Sequence, residues 1–518
     1  MKLSSFKILL SSLLVIYSNS TYSLLKSEFI QTWKDNEDYI VLSVPIKMYT
    51  LDPTKAINAH TKLALPLILE PLISINAQQE LQPVLAKAWL ISPNRKSIII
   101  TIKQNHRFAD NSEVTAQDVV HSFYRLCNPG SKGSGELKGL SGCGEHVRGK
   151  KALPQVYALG KYEIKFNITN NPTTFLYQLS SPSTVITKTT QTGLIGSGPY
   201  MVKKQNENNI TFQKNTFYLG DTIVNNAGLI MFYTSSYEVL SMLKKERPDG
   251  AIMYRLKELW GFNDDGFKLI KSNPNITEIL VLNNKKFPFS KPIVRKALSA
   301  AIYNHFDYSC ISGSHKAFGV IPTGIGGSIA NMPPKVMPEI TPKELYEIVP
   351  ELKKKKISIT IHQLYDVKND CESEQIVKIA KQYHINVKFK YHKEYFDLLR
   401  LEFNHQHDGF IDLYVLKNRE AYSVLRYFTT NGGNHSNINS PNIDSMLKEA
   451  ISVPSSHAKF QIYRQIAQYM QDQNMVIPIF YMDHGNLMNK CISGISDDFF
   501  FNPYLQLPQL SKIKNCKN

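Results

Sequence analysis

Hydrophobic positions change their spacing repeatedly along the chain, and each change marks an element. From Tyr39 to Ile75 the residues read as strand, turn, helix and strand, with the turn at Thr50-Leu51-Asp52-Pro53 and the helix ending near Glu70-Pro71. Ser97 to Ile102 is a nearly unbroken β-branched run, which predicts a buried strand. Asp110-Asn111-Ser112 then supplies turn residues. Thr115 followed by Asp118 makes a capping box ahead of Val119, Val120, Phe123 and Leu126, which share one helical face. Short alternating runs, Tyr162 to Ile168 and Ile210 to Gln213, predict strands on either side of a tight corner at Gly196-Ser197-Gly198-Pro199-Tyr200.

A second region begins after Pro274. Ile276 to Leu282 is a strongly apolar strand, and Pro292 starts a helix with Val294, Ala297, Leu298, Ala301 and Ile302 at helical spacing. The alternation is plainest further on: strand Ile357 to Leu364, helix Glu372 to Tyr383, strand Ile385 to Tyr391, helix Glu394 to Phe403, strand Gly409 to Leu416. Strands and helices in this order predict βαβ units on a largely parallel sheet. A helix around Ser456 to Asp472 precedes an apolar strand from Val476 to Tyr481, and the tail through Phe499, Phe500, Phe501 and Tyr504 is irregular. The fold class is therefore α/β with at least two sheet-containing lobes.

Composition limits the function classes. Hydrophobic residues make up 42% of the 518, too many for a disordered chain. The first 23 residues carry Lys2 and Lys7, an apolar run from Ile8 to Tyr17 and small residues toward Ser20 and Ser23, the three parts of a secretory signal peptide. The run of about ten residues falls short of the roughly 20 needed to span a bilayer, so cleavage and release are expected, after Ser20 or after Ser23. No cysteine lies near either site, which argues against a lipid anchor. The formal charge of +17, about +15 after the two lysines are lost, makes an anionic partner the first thing to test. That charge is dispersed and the chain is exported, so nucleic acid is not expected.

Export also changes how the six cysteines read. Cys127 and Cys143 bracket a loop rich in Gly, Ser and Lys and are expected to form a disulfide contributing about 3 kcal/mol. Cys310, Cys371, Cys491 and Cys516 remain open in their pairing. No Cys-x-x-Cys is present, so a zinc site is not expected. His405, His407 and Asp408 are close in sequence, but imidazoles alternating on an extended segment point to opposite faces, so a solvated turn is expected rather than a metal site. Lys353 to Lys356 read as a solvated strand edge. No nucleophile elbow, zinc-protease helix or phosphate-binding loop is present, so neither catalysis nor a cofactor is expected.

Several segments together resemble the extracellular solute-binding proteins of ATP-driven importers, family 5, the class of oligopeptide- and dipeptide-binding proteins. They are Leu81 to Trp89, Phe108 to Ser112 with Thr115 to Val120, Gly196 to Tyr200, and Leu282-Asn283 followed by Pro292 to Leu298. The resemblance implies a type II periplasmic-binding-protein fold, with two hinged lobes and a subdomain inserted in lobe one at about 75–190. Lobe one is then 24–275, lobe two 276–478, and 479–518 returns to lobe one, with the chain crossing near Asn283 and back near Tyr481. It further implies a periplasmic, monomeric, non-catalytic protein that captures a peptide or peptide-like solute and delivers it to an inner-membrane ABC permease. A sensor or scaffold that has lost transport, and a secreted hydrolase, are the alternatives.

The resemblance also implies site residues. Peptide-binding relatives hold the ligand's α-amino group with an acid inside a Gly-Trp-x-x-Asp-x-x-Asp-Pro-like segment, and the equivalent stretch here is Leu413 to Ala421. Lys417 falls where the acid is expected, and an ammonium there repels a peptide amine. Asp412 substitutes only under a shifted register. Lys417 and Arg419 either clamp an anion or sit on an exposed strand end beside Glu420. Tyr414, Tyr422 and Tyr481 are candidates to stack on the ligand, and Asn283 is placed beside it.

Overall fold

Tyr39–Val44 is buried at all six positions because it has a parallel neighbour on each side, Gly228–Tyr233 and Gly250–Arg255. The computed structural model describes residues 38–516 apart from 57–58, 77–79, 138, 170–171, 192, 260, 272–275, 312–313, 332–335, 355–356, 365–369, 393–394, 417–420, 431, 454 and 496–505. The signal peptide expected at 1–23, Lys417, Arg419 and the aromatic tail at Phe499 to Tyr504 lie outside the described residues.

The first sheet has seven strands, in the order Tyr200–Gln205, Asn209–Lys214, Gly228–Tyr233, Tyr39–Val44, Gly250–Arg255, His484–Asn489 and Phe267–Lys271. The C-terminal strand His484–Asn489 is thus inserted antiparallel between two strands that lie more than 200 residues earlier in the chain. The Asn226 amide holds the tail beyond it, donating to the carbonyls of Leu507 and Leu510 at 2.9 Å. A disulfide between Cys491 and Cys516 closes the same region, with the Cα atoms 5.6 Å apart.

A separate four-stranded antiparallel sheet orders Ala86–Ile91, Ser97–Ile102, Glu163–Asn167 and Val156–Ala158. Ile98, Ile100 and Ile102 alternate inward and share a core with Val119, Phe123 and Leu126 of the helix Ala116–Leu126. The capping box forms as the sequence predicts, with the Thr115 N–H donating to Asp118 Oδ2 at 2.8 Å. Cys127, at the end of this helix, is bonded to Cys143 with an S–S distance of 2.01 Å.

The third large sheet orders Ser314–Lys316, Val476–Met482, Ile276–Leu282, Gly409–Val415, Ile357–Leu364 and Ile385–His392. It is mixed, not largely parallel. Ile357–Leu364 is parallel to both of its neighbours, whereas Ile276–Leu282 is antiparallel to both of its own. The reason is that Ile276–Leu282 and Val476–Met482 carry the chain into and out of this sheet in opposite directions, with no crossover helix between them in the pairing. Its two faces bury different cores. Leu280 and Leu282 pack toward the helix Pro292–His305, and Ile279 and Val281 toward the helix Ser456–Asp472.

The chain passes from the seven-stranded to the six-stranded sheet between Lys271 and Ile276, earlier than Asn283, which lies at the far end of the already paired strand. It returns at Asp483. That residue's carbonyl accepts from the Leu256 N–H at 3.0 Å and its carboxylate meets His315 Nε2 at 2.9 Å, so it touches elements of both sheets. No helix among the described residues is long and apolar enough to cross a membrane.

Candidate functional site

A cavity lies where elements of the first half of the chain meet elements of the second. One wall is built from Ile75, the turn Ser134–Leu137 and the helix Pro172–Leu179, and the other from Tyr422 to Tyr427, the Ala450–Val453 corner and the helix Ser456–Asp472. The space between them is about 90 Å³, below the roughly 300–1,000 Å³ usual for small-molecule sites, so the two walls stand close together.

Local sequence explains which side chains reach it. In the helix Pro172–Leu179, Phe175, Leu176 and Leu179 are buried, with Phe175 packed 5.5 Å from Phe166. Thr173, Thr174, Tyr177 and Gln178 are left on the opposite face, which lines the cavity. Leu137 is fully buried and anchors the short turn that presents Glu136. On the far wall, Ile462, Ile466 and Met470 point into the core, and Lys459, one turn before Tyr463, faces the cavity.

The walls touch directly. Thr174 Oγ1 donates to the Ile451 carbonyl at 2.9 Å, and the Lys459 ammonium lies 4.1 Å from the centre of the Tyr177 ring. Arg426 stacks 4.8 Å from the Tyr427 ring centre and donates to its hydroxyl at 3.3 Å. Burial opposes the guanidinium charge, but Tyr427, Glu136 and Tyr422 outweigh it, and Arg426 is held firmly cationic. These groups can accept an anion, bond to amides and stack on apolar surface.

Behind Tyr427 lies a buried polar cluster. The His435 ring centre is 4.9 Å from that of Tyr427, and His435 Nδ1 shares a hydrogen bond of 2.7 Å with the Tyr414 hydroxyl. Glu402 Oε2 stands 3.9 Å from the same nitrogen. Burial, reinforced by Asp412, drives the Glu402 carboxyl well above the usual carboxylate range. Asp412, half-buried, is pushed up to about 7 by burial and by Glu278, against the hydrogen bond from the Leu413 N–H. Burial drives His435 and His407 down to about 3, and neighbouring cations add to the effect. No cluster of three or more His, Cys, Asp or Glu among the described residues is arranged to hold a metal ion.

Of the residues singled out in the sequence, Tyr422 lines the cavity. Tyr414 is buried in the cluster behind it. Tyr481 is buried as well, its hydroxyl donating to the carbonyl of Gly319 at 3.0 Å and accepting from the Phe318 N–H at 3.1 Å. Asn283 donates to the His407 carbonyl at 3.0 Å and accepts from Asn437 at 2.9 Å, tying down the end of its strand. His407 is buried with its ring edge-on to Phe410, not in a solvated turn, because Phe410 and Tyr414 draw that face of the segment into the core. Glu136, Tyr177, Arg426 and Lys459 were not singled out. They are far apart in sequence and share no motif.

Comparison with known proteins gives this cavity a context. The sequence model of bacterial extracellular solute-binding proteins, family 5 (Middle), matches residues 80–306. The periplasmic oligopeptide-binding protein OppA of Haemophilus influenzae is 24% identical over 323 residues, 57% of this chain and 58% of that protein. The periplasmic murein peptide-binding protein MppA of Escherichia coli (strain K12) is 23% identical over 487 residues, covering 86% of this chain and 88% of that protein. The solved structure of the Escherichia coli murein tripeptide binding protein MppA matches with a TM-score of 0.75 at 19% identity, over 92% of this chain and 99% of that one. DppA from Helicobacter pylori, solved in complex with the peptide STSA, matches with a TM-score of 0.74 at 18% identity, over 92% and 98% of the two chains. The two-lobed α/β architecture, with its additional subdomain, is the fold these proteins share, and over residues 80–306 the chain is similar to the family 5 extracellular solute-binding proteins.

Proposed function

We propose that this protein is the periplasmic solute-binding component of an ATP-driven importer. It captures a peptide or peptide-like solute in the cavity between its lobes and delivers it to an inner-membrane permease. The observation that carries this reading is that one cavity is lined from both sides, by Glu136 and Tyr177 on one wall and by Tyr422, Arg426 and Lys459 on the other. A ligand touching both walls stabilises the closed arrangement over any open one, and a closed form is what a permease can distinguish from an empty protein. The relatives named for murein peptides and oligopeptides, and the neighbour solved with a peptide, support the ligand class.

In this reading residues 1–23 are a cleaved signal peptide, and the mature protein is a free periplasmic monomer without catalytic activity. Lobe one is 24–275 with 479–518, its inserted subdomain lies at about 75–190, and lobe two is 276–478. The passages between sheets at 271–276 and at Asp483 support that division. Lys417 and Arg419 are retained as candidate ligand contacts, since Tyr422 beyond them lines the cavity.

The test is to purify the protein natively, identify retained solute by mass spectrometry, and measure thermal shifts with a peptide panel. A bound peptide at about 100 times its Kd stabilises the protein by about 2.7 kcal/mol. Failure of every peptide to raise the melting temperature overturns the reading, and turnover of a retained compound replaces it with an enzyme.

A further inference from the structure

The walls of the cavity carry opposite charge. Glu136, on the lobe-one wall, is the acid among its described lining residues, and Arg426 and Lys459, on the lobe-two wall, are the bases. Lys459 is only 7% exposed, yet it belongs to the lining and holds its ammonium over the Tyr177 ring. Arg426 uses one donor on the Tyr427 hydroxyl, and a planar guanidinium has further N–H groups for a carboxylate. Two cations on one wall of a poorly solvated space favour an anion between them, because the attraction is less screened than in water.

We infer that the ligand is a short peptide whose carboxylate docks between Arg426 and Lys459 on lobe two and whose amino group points at Glu136 on lobe one. This inference rests on the peptide-binding role proposed above and assigns its polarity. The family resemblance implies an amine-holding acid on lobe two, so the orientation here is the reverse. The arrangement also couples binding to closure: the two charged ends of the ligand are held by different lobes, and neither lobe alone satisfies both.

The experiment measures affinity by calorimetry on the mature protein with four peptides: trialanine, its C-terminal amide, its N-acetyl form, and Ala-Glu-Ala. Amidation is expected to weaken binding by about tenfold or more and acetylation by about fivefold, while Ala-Glu-Ala binds at least as tightly as trialanine. Lys459→Met and Arg426→Gln are each expected to abolish the preference for the free acid over the amide, and Arg426→Lys to restore part of it. Glu136→Gln, in a half-exposed turn, removes the preference for the free amine instead and leaves the carboxylate preference. Should Arg426→Gln fail to fold, the Lys459→Met and Glu136→Gln measurements carry the test alone.

If peptides bind but the free acid and the amide differ by less than about twofold, the polarity is wrong while the binding role stands. If the free-amine preference survives Glu136→Gln, the placement of the amine is overturned. If none of the four peptides binds, nor any in the wider panel, the binding role itself falls.

Discussion

Two buried Glu–His pairs, one in each lobe, have the same residue types and similar burial but different geometry. In lobe one, Glu70 and His106 meet at 2.6 Å, with the side chains only 6% and 3% exposed. In lobe two, Glu402 and His435 are 0% and 2% exposed but stand 3.9 Å apart, because His435 Nδ1 is taken by the Tyr414 hydroxyl at 2.7 Å. Among the described residues both Glu402 oxygens lack a hydrogen-bond partner, and burial drives that carboxyl well above the ordinary range. The difference teaches that burial alone does not decide which bonds form: Glu70 meets its histidine directly, whereas His435 bonds to a hydroxyl and leaves a neutral acid beside a neutral base. The neutral pair lies behind Tyr427, next to the cavity, where further buried charge would compete with the ligand for Arg426.

The largest effect expected from this contrast comes from removing one member of each pair. Glu70→Ala leaves His106 buried without this hydrogen-bond partner and is expected to cost about 1–3 kcal/mol of stability. Glu402→Gln replaces a neutral carboxyl by a neutral amide of the same shape and is expected to cost less than about 1 kcal/mol. Denaturant unfolding at pH 6 measures both. Equal losses from the two variants would break the comparison.

The next effect is in pH dependence. Asp412, pushed up to about 7, binds its proton more tightly in the folded state than in the unfolded one, where its ordinary value is 3.8. Its stabilising contribution is therefore complete below about pH 4 and is lost as pH rises toward 7. Asp412→Asn, which cannot ionise, is expected to exceed the unchanged protein in stability at pH 8 by a few kcal/mol and to lose that advantage by pH 4. Flat stability of both proteins from pH 4 to 8 would contradict the raised carboxyl.

The imidazoles act in the opposite sense. His407 and His435, held down to about 3 by burial, contribute stability that is complete above their ordinary value of 6.5 and is lost as pH falls toward 3. Among the described residues His407 has no hydrogen-bond partner on either nitrogen, so His407→Leu sacrifices no bond to them. The variant is expected to be about 1–2 kcal/mol less acid-sensitive, read from unfolding midpoints between pH 6.5 and pH 4. An unchanged acid limb would assign the loss to other groups.

The sequence made lobe two's scaffold legible and left its chemistry hidden. Ile357–Leu364, Ile385–His392 and Gly409–Val415 alternate with helices over long periodic stretches, so their type and bounds are readable. Gly228–Tyr233 and Gly250–Arg255 are central in the seven-stranded sheet and buried throughout or nearly so. Buried on both faces, they show no alternation, and short apolar runs of that kind do not separate strand from helix. At the site, Tyr422 was readable as an aromatic near a motif-like segment. Arg426 and Lys459 were not, because a basic residue on a helix is ordinarily solvated, and only the packing of Tyr177 against Lys459 sets them apart. Tyr414 and Tyr481 illustrate the converse: each is a tyrosine in a strand whose hydroxyl finds a partner inside the protein.

A small expected change in stability tests the cause of the contrast. Tyr414→Phe removes the hydroxyl bonded to His435 Nδ1 and costs one buried hydrogen bond, about 1 kcal/mol. It also returns His435 Nδ1 to Glu402, its next polar neighbour at 3.9 Å. Arg426, His405 and His407 oppose a positive charge on that ring, so a new Glu402 contact must overcome them. If the hydroxyl is what keeps the pair neutral, the variant's His435 titrates closer to its ordinary value of 6.5, whereas the unchanged protein's His435 stays neutral down to about pH 4. Nitrogen chemical shifts of the labelled ring, followed from pH 7 to 4, read the difference directly. A ring equally silent in both proteins would mean that burial, not the tyrosine hydroxyl bonded to it, keeps this lobe's pair uncharged.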